Sequence, residues 1–392
     1  MTTKKPSKPY DDFPLYAHNC GQWAKKIRGN TRYFGRFKHG WEAALKRFDK
    51  EKHALYAGHT PSQTTDELIL EGACNWFIGA KMQIAESGDL SQRTLADYRI
   101  TCQSVLGHFD RKRPVTSLTV ADFESLRAAL AAKYGPVRLS REITQVKMLF
   151  KYCHEAGHLE HPVKFGPLFK KPSAKILRAH RTNGPAKLFL PGGILQLVGS
   201  AGPTMSAMVW LGINAGYGNH DCGLLEFRHL DLTDGWITAP RHKTGIGRRA
   251  KLWPETIKAI EQAIAARPET DDEAIDNLVF VTKRRRSWYK TTRDNPVSKE
   301  FRKLLDQTGL YQEGRTFYAL RHTFATVAGE SRDQVAVNHI MGHAPAASDM
   351  VSVYRESISD ERLEAVAQHV REWLIGVQTK KAGVQSMKTK DD

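Results

Sequence analysis

Tyr318-Ala-Leu-Arg321-His322-Thr-Phe-Ala-Thr326, then Met341-Gly-His343, then Tyr354-Arg-Glu: the order of these residues decides how the chain is read. A phenol can attack phosphorus and store a phosphodiester bond as a phosphotyrosine, which spares the reaction an energy cofactor. Arginine and histidine can hold the equatorial oxygens of the pentavalent transition state. A lysine can protonate the leaving 5′ oxygen. Taken alone, Tyr354 reads as an ordinary half-buried aromatic. With Arg321 and His343 before it, it reads as a nucleophile. His322 reads as a structural residue that holds the helix of Arg321 in place.

Upstream, the stretch from Trp236 to Trp253 alternates as a β-hairpin, with Lys243 in its Pro-Arg-His-Lys-Thr-Gly turn. The segments Leu320–Thr326, Met341–His343 and Tyr354 stand in an order that resembles the tyrosine recombinase (phage integrase) family. The resemblance implies that Arg321 is the second catalytic arginine, His343 a phosphate ligand, Tyr354 the nucleophile and Lys243 the general acid. Phe227-Arg-His-Leu-Asp231-Leu is similar to the stretch that closes the helix after the family's first arginine. Tyr318 stands where the family has histidine, and its phenol can still donate a hydrogen bond. The first arginine itself is absent from Ala215-Gly-Tyr-Gly218-Asn-His220-Asp221. Anchoring the match on Asp231 puts His220 in its place, and anchoring it on Ala215-Gly216 puts Gly218 there. A protonated His220 would restore part of the charge, or Arg228 or Arg241 would reach in from a neighbouring segment. The resemblance implies a site-specific recombinase that works on double-stranded DNA through a 3′-phosphotyrosyl intermediate, as a homotetramer on DNA, without metal or nucleotide. The missing arginine leaves a second expectation, a DNA-binding protein that has lost cleavage.

The charge balance agrees with a polyanionic partner. Lys and Arg number 59 against 42 Asp and Glu, a formal net charge of +17, and such an excess favours nucleic acid through counterion release. The longest apolar run, Met205 to Ile213, falls far short of the roughly 20 residues of a membrane span and reads as a core helix. Basic residues at the N-terminus precede no apolar stretch, so a cytoplasmic protein is expected. Cys20, Cys74, Cys102, Cys153 and Cys222 form no CxxC pair and suit a reducing compartment.

The fold class expected is mainly α, with a small α+β catalytic domain. Residues 1–61 read as a basic module with a hairpin turning at Gly29-Asn30 and a helix over Trp41–Tyr56. Residues 62–161 read as about four helices, cut at Ser87-Gly88, Arg113-Pro114 and Gly135-Pro136. Thr119 caps the one that begins at Val120, with Asp122 in its first turn. Residues 162–187 read as a basic linker in which Lys164, Lys170, Lys171, Lys175, Arg178 and Arg181 are the candidate DNA contacts; no Asp or Glu occurs between Glu160 and Asp221. Residues 188–375 are the catalytic domain, and 376–392 a disordered tail. By resemblance, this layout is that of the arm-binding, core-binding and catalytic parts of integrases. The run Lys283–Arg286 is a further candidate for backbone contact.

One motif points elsewhere. His154-Glu155-Ala-Gly-His158 satisfies HExxH, in which two histidines one helical turn apart bind zinc. That motif needs a continuing helix, and Gly157 is a natural stop. A zinc peptidase is the remote third expectation.

Overall fold

The computed structural model describes residues 5–57, 68–292, 294–344 and 349–388. It divides into two compact units, the first running to Pro172 and the second from Ser173 onward, with Ser91–Thr94 grouped with the second.

The first unit holds two cores. In the N-terminal one, strands β1 (Tyr16–Ala17), β2 (Gln22–Ile27) and β3 (Asn30–Arg36) form an antiparallel sheet in that order, and helix α1 (Trp41–Ala57) packs on it. Phe13, Trp23, Phe34 and Phe48 fill the space between them. The hairpin is present, but its turn sits one residue earlier than expected. Ile27 pairs with Asn30, and Arg28 (φ 51°) and Gly29 (φ 85°) form the loop. Two successive positive φ angles match the twist of the flanking strands, and Gly29 adopts one of them without strain.

The second core is four helices, α2 (Leu70–Glu86), α3 (Gln92–His108), α4 (Val120–Lys133) and α5 (Pro136–Glu155). Thr119 caps α4 through its hydroxyl while the Asp122 carboxylate closes back on the Thr119 N–H at 2.8 Å. Helix α5 stops at Glu155, and Gly157 (φ 75°) turns the chain away. His154 and His158 are therefore not on successive turns of one helix. His158 instead stacks on Trp76, ring centroids 4.7 Å apart, which removes the geometric basis of the zinc-peptidase reading.

The expected linker is not one element. Phe169 is fully buried in the helical core beside Phe123 and belongs with the first unit. The aromatic side chains here outweigh the loop-like Pro, Gly and Lys composition that suggested free chain. The second half forms helix α6 (Ala174–Thr182), capped by Ser173 and burying nothing.

The second unit continues with α7 (Pro191–Ser200), α8 (Pro203–Asn214) and α9 (Asn219–Gly223). Strands β4 (Leu230–Asp231), β5 (Trp236–Pro240) and β6 (Gly247–Lys251) form an antiparallel sheet in that order. Then come α10 (Pro254–Ala265), α11 (Glu273–Asp276), α12 (Pro296–Gln307), α13 (Tyr318–Gly329), α14 (Gln334–Met341), α15 (Val351–Tyr354) and α16 (Asp360–Lys388). Helix α8 is the apolar run noted above. It is buried all round and packs against α7, α10 and α13, as a helix without a polar face must. No helix among the described residues is long and apolar enough to cross a membrane.

Helix α16 buries Leu363, Val366, Ala367, Val370 and Leu374 at helical spacing. Its backbone runs on to Lys388, so the tail expected to be disordered from residue 376 is helical up to that point. No proline follows Ile375 to stop it, and isolated glycines, here Gly376 and Gly383, are tolerated within a helix.

Candidate active site

The β5–β6 hairpin positions its side chains by period two. Ile237 and Ala239 face the core, as do Arg248 and Ala250 on the partner strand. Continued one step past β5, the same parity turns Arg241 inward. Its backbone is held where it leaves the strand: Arg241 N–H donates to the Ile246 carbonyl at 2.8 Å, and the Arg241 carbonyl accepts from Thr244 and Gly245 at 3.0 and 2.8 Å.

Helix α13 places Arg321 inside the unit, with 2% of its surface exposed. Its Nη1 donates to the Gly216 carbonyl at 2.6 Å, and Nη2 donates to the Met341 carbonyl at 2.7 Å and meets His343 Nε2 at 3.0 Å. A guanidinium cannot accept, so Nε2 must offer its lone pair, and Nδ1 carries the proton of a neutral imidazole. Burial first, then Arg241, pulls the Arg321 pKa down to about 10, which leaves it charged at neutral pH. Burial, then Arg321 and Arg241, lowers that of His343 and keeps it neutral. No carboxylate pairs with Arg321 among the described residues. A cation buried among neutral acceptors alone is costly unless an anion joins it.

Two glycines make these contacts possible. Gly216 (φ 63°) turns its carbonyl to Arg321, and a Cβ there would lie 3.0 Å from the Phe324 ring. Gly342 (φ 60°) ends α14 in the left-handed conformation, and a Cβ there would lie 2.9 Å from Arg241 Cβ. Its carbonyl accepts from Thr244 Oγ1 at 3.1 Å. His343 follows at once and folds back on Arg321.

A cavity of about 580 Å³ opens beside this cluster, lined by Gly218, His220, Arg241, Lys243, Ser298 and Tyr318 among others. The structure thus brings together five of the six expected catalytic residues: Arg321 with His343, and Tyr318, Lys243 and His220 around the cavity. The Arg321 guanidinium carbon is 6.0 Å from the Tyr318 ring centroid. Lys243 is exposed, with no ionic partner among the described residues. Partial burial lowers the His220 pKa, so the charge expected from a protonated His220 is not supplied at neutral pH. The sixth, Tyr354, lies on the four-residue helix α15. It is 79% exposed and does not line the cavity. The linker cations Lys164, Lys170, Lys171, Lys175, Arg178 and Arg181 are all exposed.

Sequence reasoning missed the Asp221–Arg248 pair. Asp221 Oδ1 accepts from Arg248 Nη2 at 2.9 Å, and its Oδ2 accepts the Gly218 N–H at 2.7 Å. The Arg248 guanidinium lies 3.8 Å over the Tyr217 ring. Two signals were present in the sequence: Asp221 is the first acid after a long acid-free stretch, and Arg248 shares strand parity with the apolar Ala250.

Residues 204–361 match the model of the phage integrase family. Among solved structures, the chain is similar to lambda integrase in a dimer bound to a COC′ core site: 14% identity, 91% of this chain and 99% of that one covered, TM-score 0.54. It is also similar to the Tn1549 transposon integrase in complex with transposon right end DNA: 13% identity, 78% and 100% covered, TM-score 0.56. No curated protein sequence matches. At such identities the structural likeness establishes the fold.

Proposed function

We propose that this chain, whose residues 204–361 match the model of the phage integrase family, is a tyrosine-type site-specific recombinase that cuts and rejoins double-stranded DNA. Arg321 carries the reading. It is a buried guanidinium, charged at neutral pH, that has carbonyl and imidazole partners but no carboxylate among the described residues, beside an open cavity lined by Lys243 and Tyr318. Such a preformed hole for an anion is what a phosphoryl transition state requires.

In the proposed reaction, Tyr354 Oη attacks the scissile phosphorus. A bond forms between Oη and phosphorus as the bond from phosphorus to the 5′ oxygen breaks, leaving a 3′-phosphotyrosine. The phenolic proton passes to water, to which Tyr354 is open, and Lys243 gives a proton to the departing 5′ oxygen. Arg321, Tyr318 and the Nδ1–H of His343 hold the nonbridging oxygens; His220, neutral, is a further hydrogen-bonding group at the rim. Rejoining runs the same steps backward with a new 5′ hydroxyl. No metal or nucleotide enters these steps. Helix α15 must move to bring Tyr354 over the cavity, and engagement of DNA by the linker cations is the event we propose for that movement.

Recombination pairs two duplexes, which asks for four active sites and hence a homotetramer on DNA; lambda integrase has been seen as a tetramer bound to a Holliday junction.

The exposed position of Tyr354 and the lost first arginine favour one other reading, a DNA-binding protein without cleavage. A nicked duplex that loses its 5′ fragment after attack separates the two. The recombinase accumulates a covalent protein–DNA adduct that is absent from Tyr354→Phe; a chain that binds the duplex and forms no adduct supports the binding protein.

A further inference from the structure

We infer that Arg241, at the end of β5, supplies the guanidinium that the absent first arginine would have placed on the scissile phosphate, and that Arg248 is the positioning residue that leaves it free to do so. This rests on the recombinase reading above.

The two alignments of the missing arginine fall on Gly218 and His220, and both positions line the same cavity. Gly218 has no side chain, and a Cβ built there would already lie 3.3 Å from the Tyr318 ring. The space an arginine would cross is taken by that aromatic ring. A cation for this cavity must therefore come from another segment. Arg93 also lines it, but its side chain is exposed and its charge acts on His220, whereas Arg241 acts on both Arg321 and His343. Three further arginines are near in sequence. Arg228 is excluded: its side chain is 75% exposed and bound to Glu226 at 2.7 Å. Arg248 is buried but committed, with Nη2 on Asp221 and its face on Tyr217. Arg241 is left.

Arg241 meets the requirements one by one. It lines the cavity and is only 9% exposed. It has no carboxylate partner among the described residues, and its one side-chain hydrogen bond, to the Gly342 carbonyl, is long at 3.4 Å. That carbonyl already accepts from Thr244. The Arg241 charge acts on both Arg321 and His343, so the three groups share one locus. A buried, nearly unpartnered guanidinium beside a second unpaired guanidinium repels it until a phosphate enters, and a pentavalent phosphorane with its extra charge is held more tightly than the phosphate before it. The Asp221–Arg248 pair explains why Arg241 stays available. Two carboxylates line the cavity: Arg248 occupies Asp221, and Lys290 and Lys299 occupy Asp294. Gly342 completes the arrangement, since any side chain there would displace the Arg241 stem.

The test uses the full chain on the nicked suicide duplex, reading the rate of adduct formation and, separately, duplex binding by mobility shift. We expect Arg241→Ala to slow adduct formation by about 100- to 1,000-fold while duplex binding stays within about threefold of the parent. Arg241→Lys should recover only part of the loss, because a point charge cannot replace a planar fork. Arg241→Met, which keeps the stem volume, serves where the alanine variant does not fold. The decisive arm replaces one nonbridging oxygen of the scissile phosphate by methyl. This neutral phosphonate has less charge to neutralise, so the Arg241→Ala defect should shrink below about tenfold on it. A merely structural defect would be equal on both substrates. If the parent forms adduct and Arg241→Ala stays within threefold of it, or if the defect is the same on the phosphonate, Arg241 is not the substitute. If the parent forms no adduct at all, the recombinase reading itself fails, an outcome distinct from either.

Discussion

Arg248→Met tests the electrostatic frame of the site through stability rather than chemistry. The substitution keeps the stem's volume and removes the partner of Asp221, which is 9% exposed. Breaking a buried ion pair from one side costs about 3–5 kcal/mol. Two features of this site reduce that figure. The carboxylate keeps the Gly218 N–H at 2.7 Å, and methionine relieves the protein of Arg248 Nε and Nη1, which are buried without hydrogen-bond partners and, with the guanidinium stacked on the Tyr217 ring, carry a burden of about 1 kcal/mol each. The net expectation is a loss of about 2 kcal/mol, confined to the second unit. Urea unfolding followed by tryptophan fluorescence measures it. With a slope of about 1–3 kcal/mol per molar, the midpoint should fall by about 1 M at unchanged slope. Adding Asp221→Asn to Arg248→Met removes the orphaned charge and should restore more than half of the loss. A midpoint shift under about 0.3 M, or no recovery in the double variant, would refute the idea that the pair is a buried charge partnership.

Gly342→Ala should cost about 2 kcal/mol or more, because alanine resists the left-handed conformation and its Cβ would press on Arg241; a thermal melt unchanged within 1 °C would contradict this. The second unit should lose stability as pH falls. Burial is the largest cause of the lowered pKa values of His220, His229, His322, His339 and His343. Below the ordinary imidazole value of about 6.5 the unfolded chain therefore takes up protons before the folded one does. Stability should be flat above that pH and decline below it, and a denaturation midpoint that rises on acidification from pH 7 to 5.5 would overturn the assignment. Replacing Lys175, Arg178 and Arg181 on α6 by glutamine should flatten the salt dependence of duplex binding by about 0.9 in log–log slope for each phosphate that is no longer neutralised. An unchanged slope would mean these exposed side chains do not touch the backbone.

Local chemistry announced much of this protein. The capping box at Thr119, the stop at Gly157, the apolar α8 and the alternating hairpin each follow from neighbours within a few positions, and the structure has them where their residues stand. The order of Arg321, His343 and Tyr354 was legible for the same reason, as a pattern along the chain. Where local composition and packing disagree, packing prevailed. The Pro- and Lys-rich stretch around Phe169 looked like a linker until its aromatic side chain met the helical core.

What the sequence by itself determined is the set of elements and the groups that could do chemistry. It could not say which cations are spent and which are free. Arg228, Arg241 and Arg248 are alike in one dimension, and only the folded chain binds one to Glu226 in solvent, one to Asp221 in the interior, and leaves the third facing the cavity. That distinction depends on a carboxylate brought next to the β5–β6 hairpin from a different segment, and on the absence of a Cβ at Gly342 about a hundred residues later. Long-range proximity of this kind sets electrostatic partnership, and no periodicity along the chain encodes it.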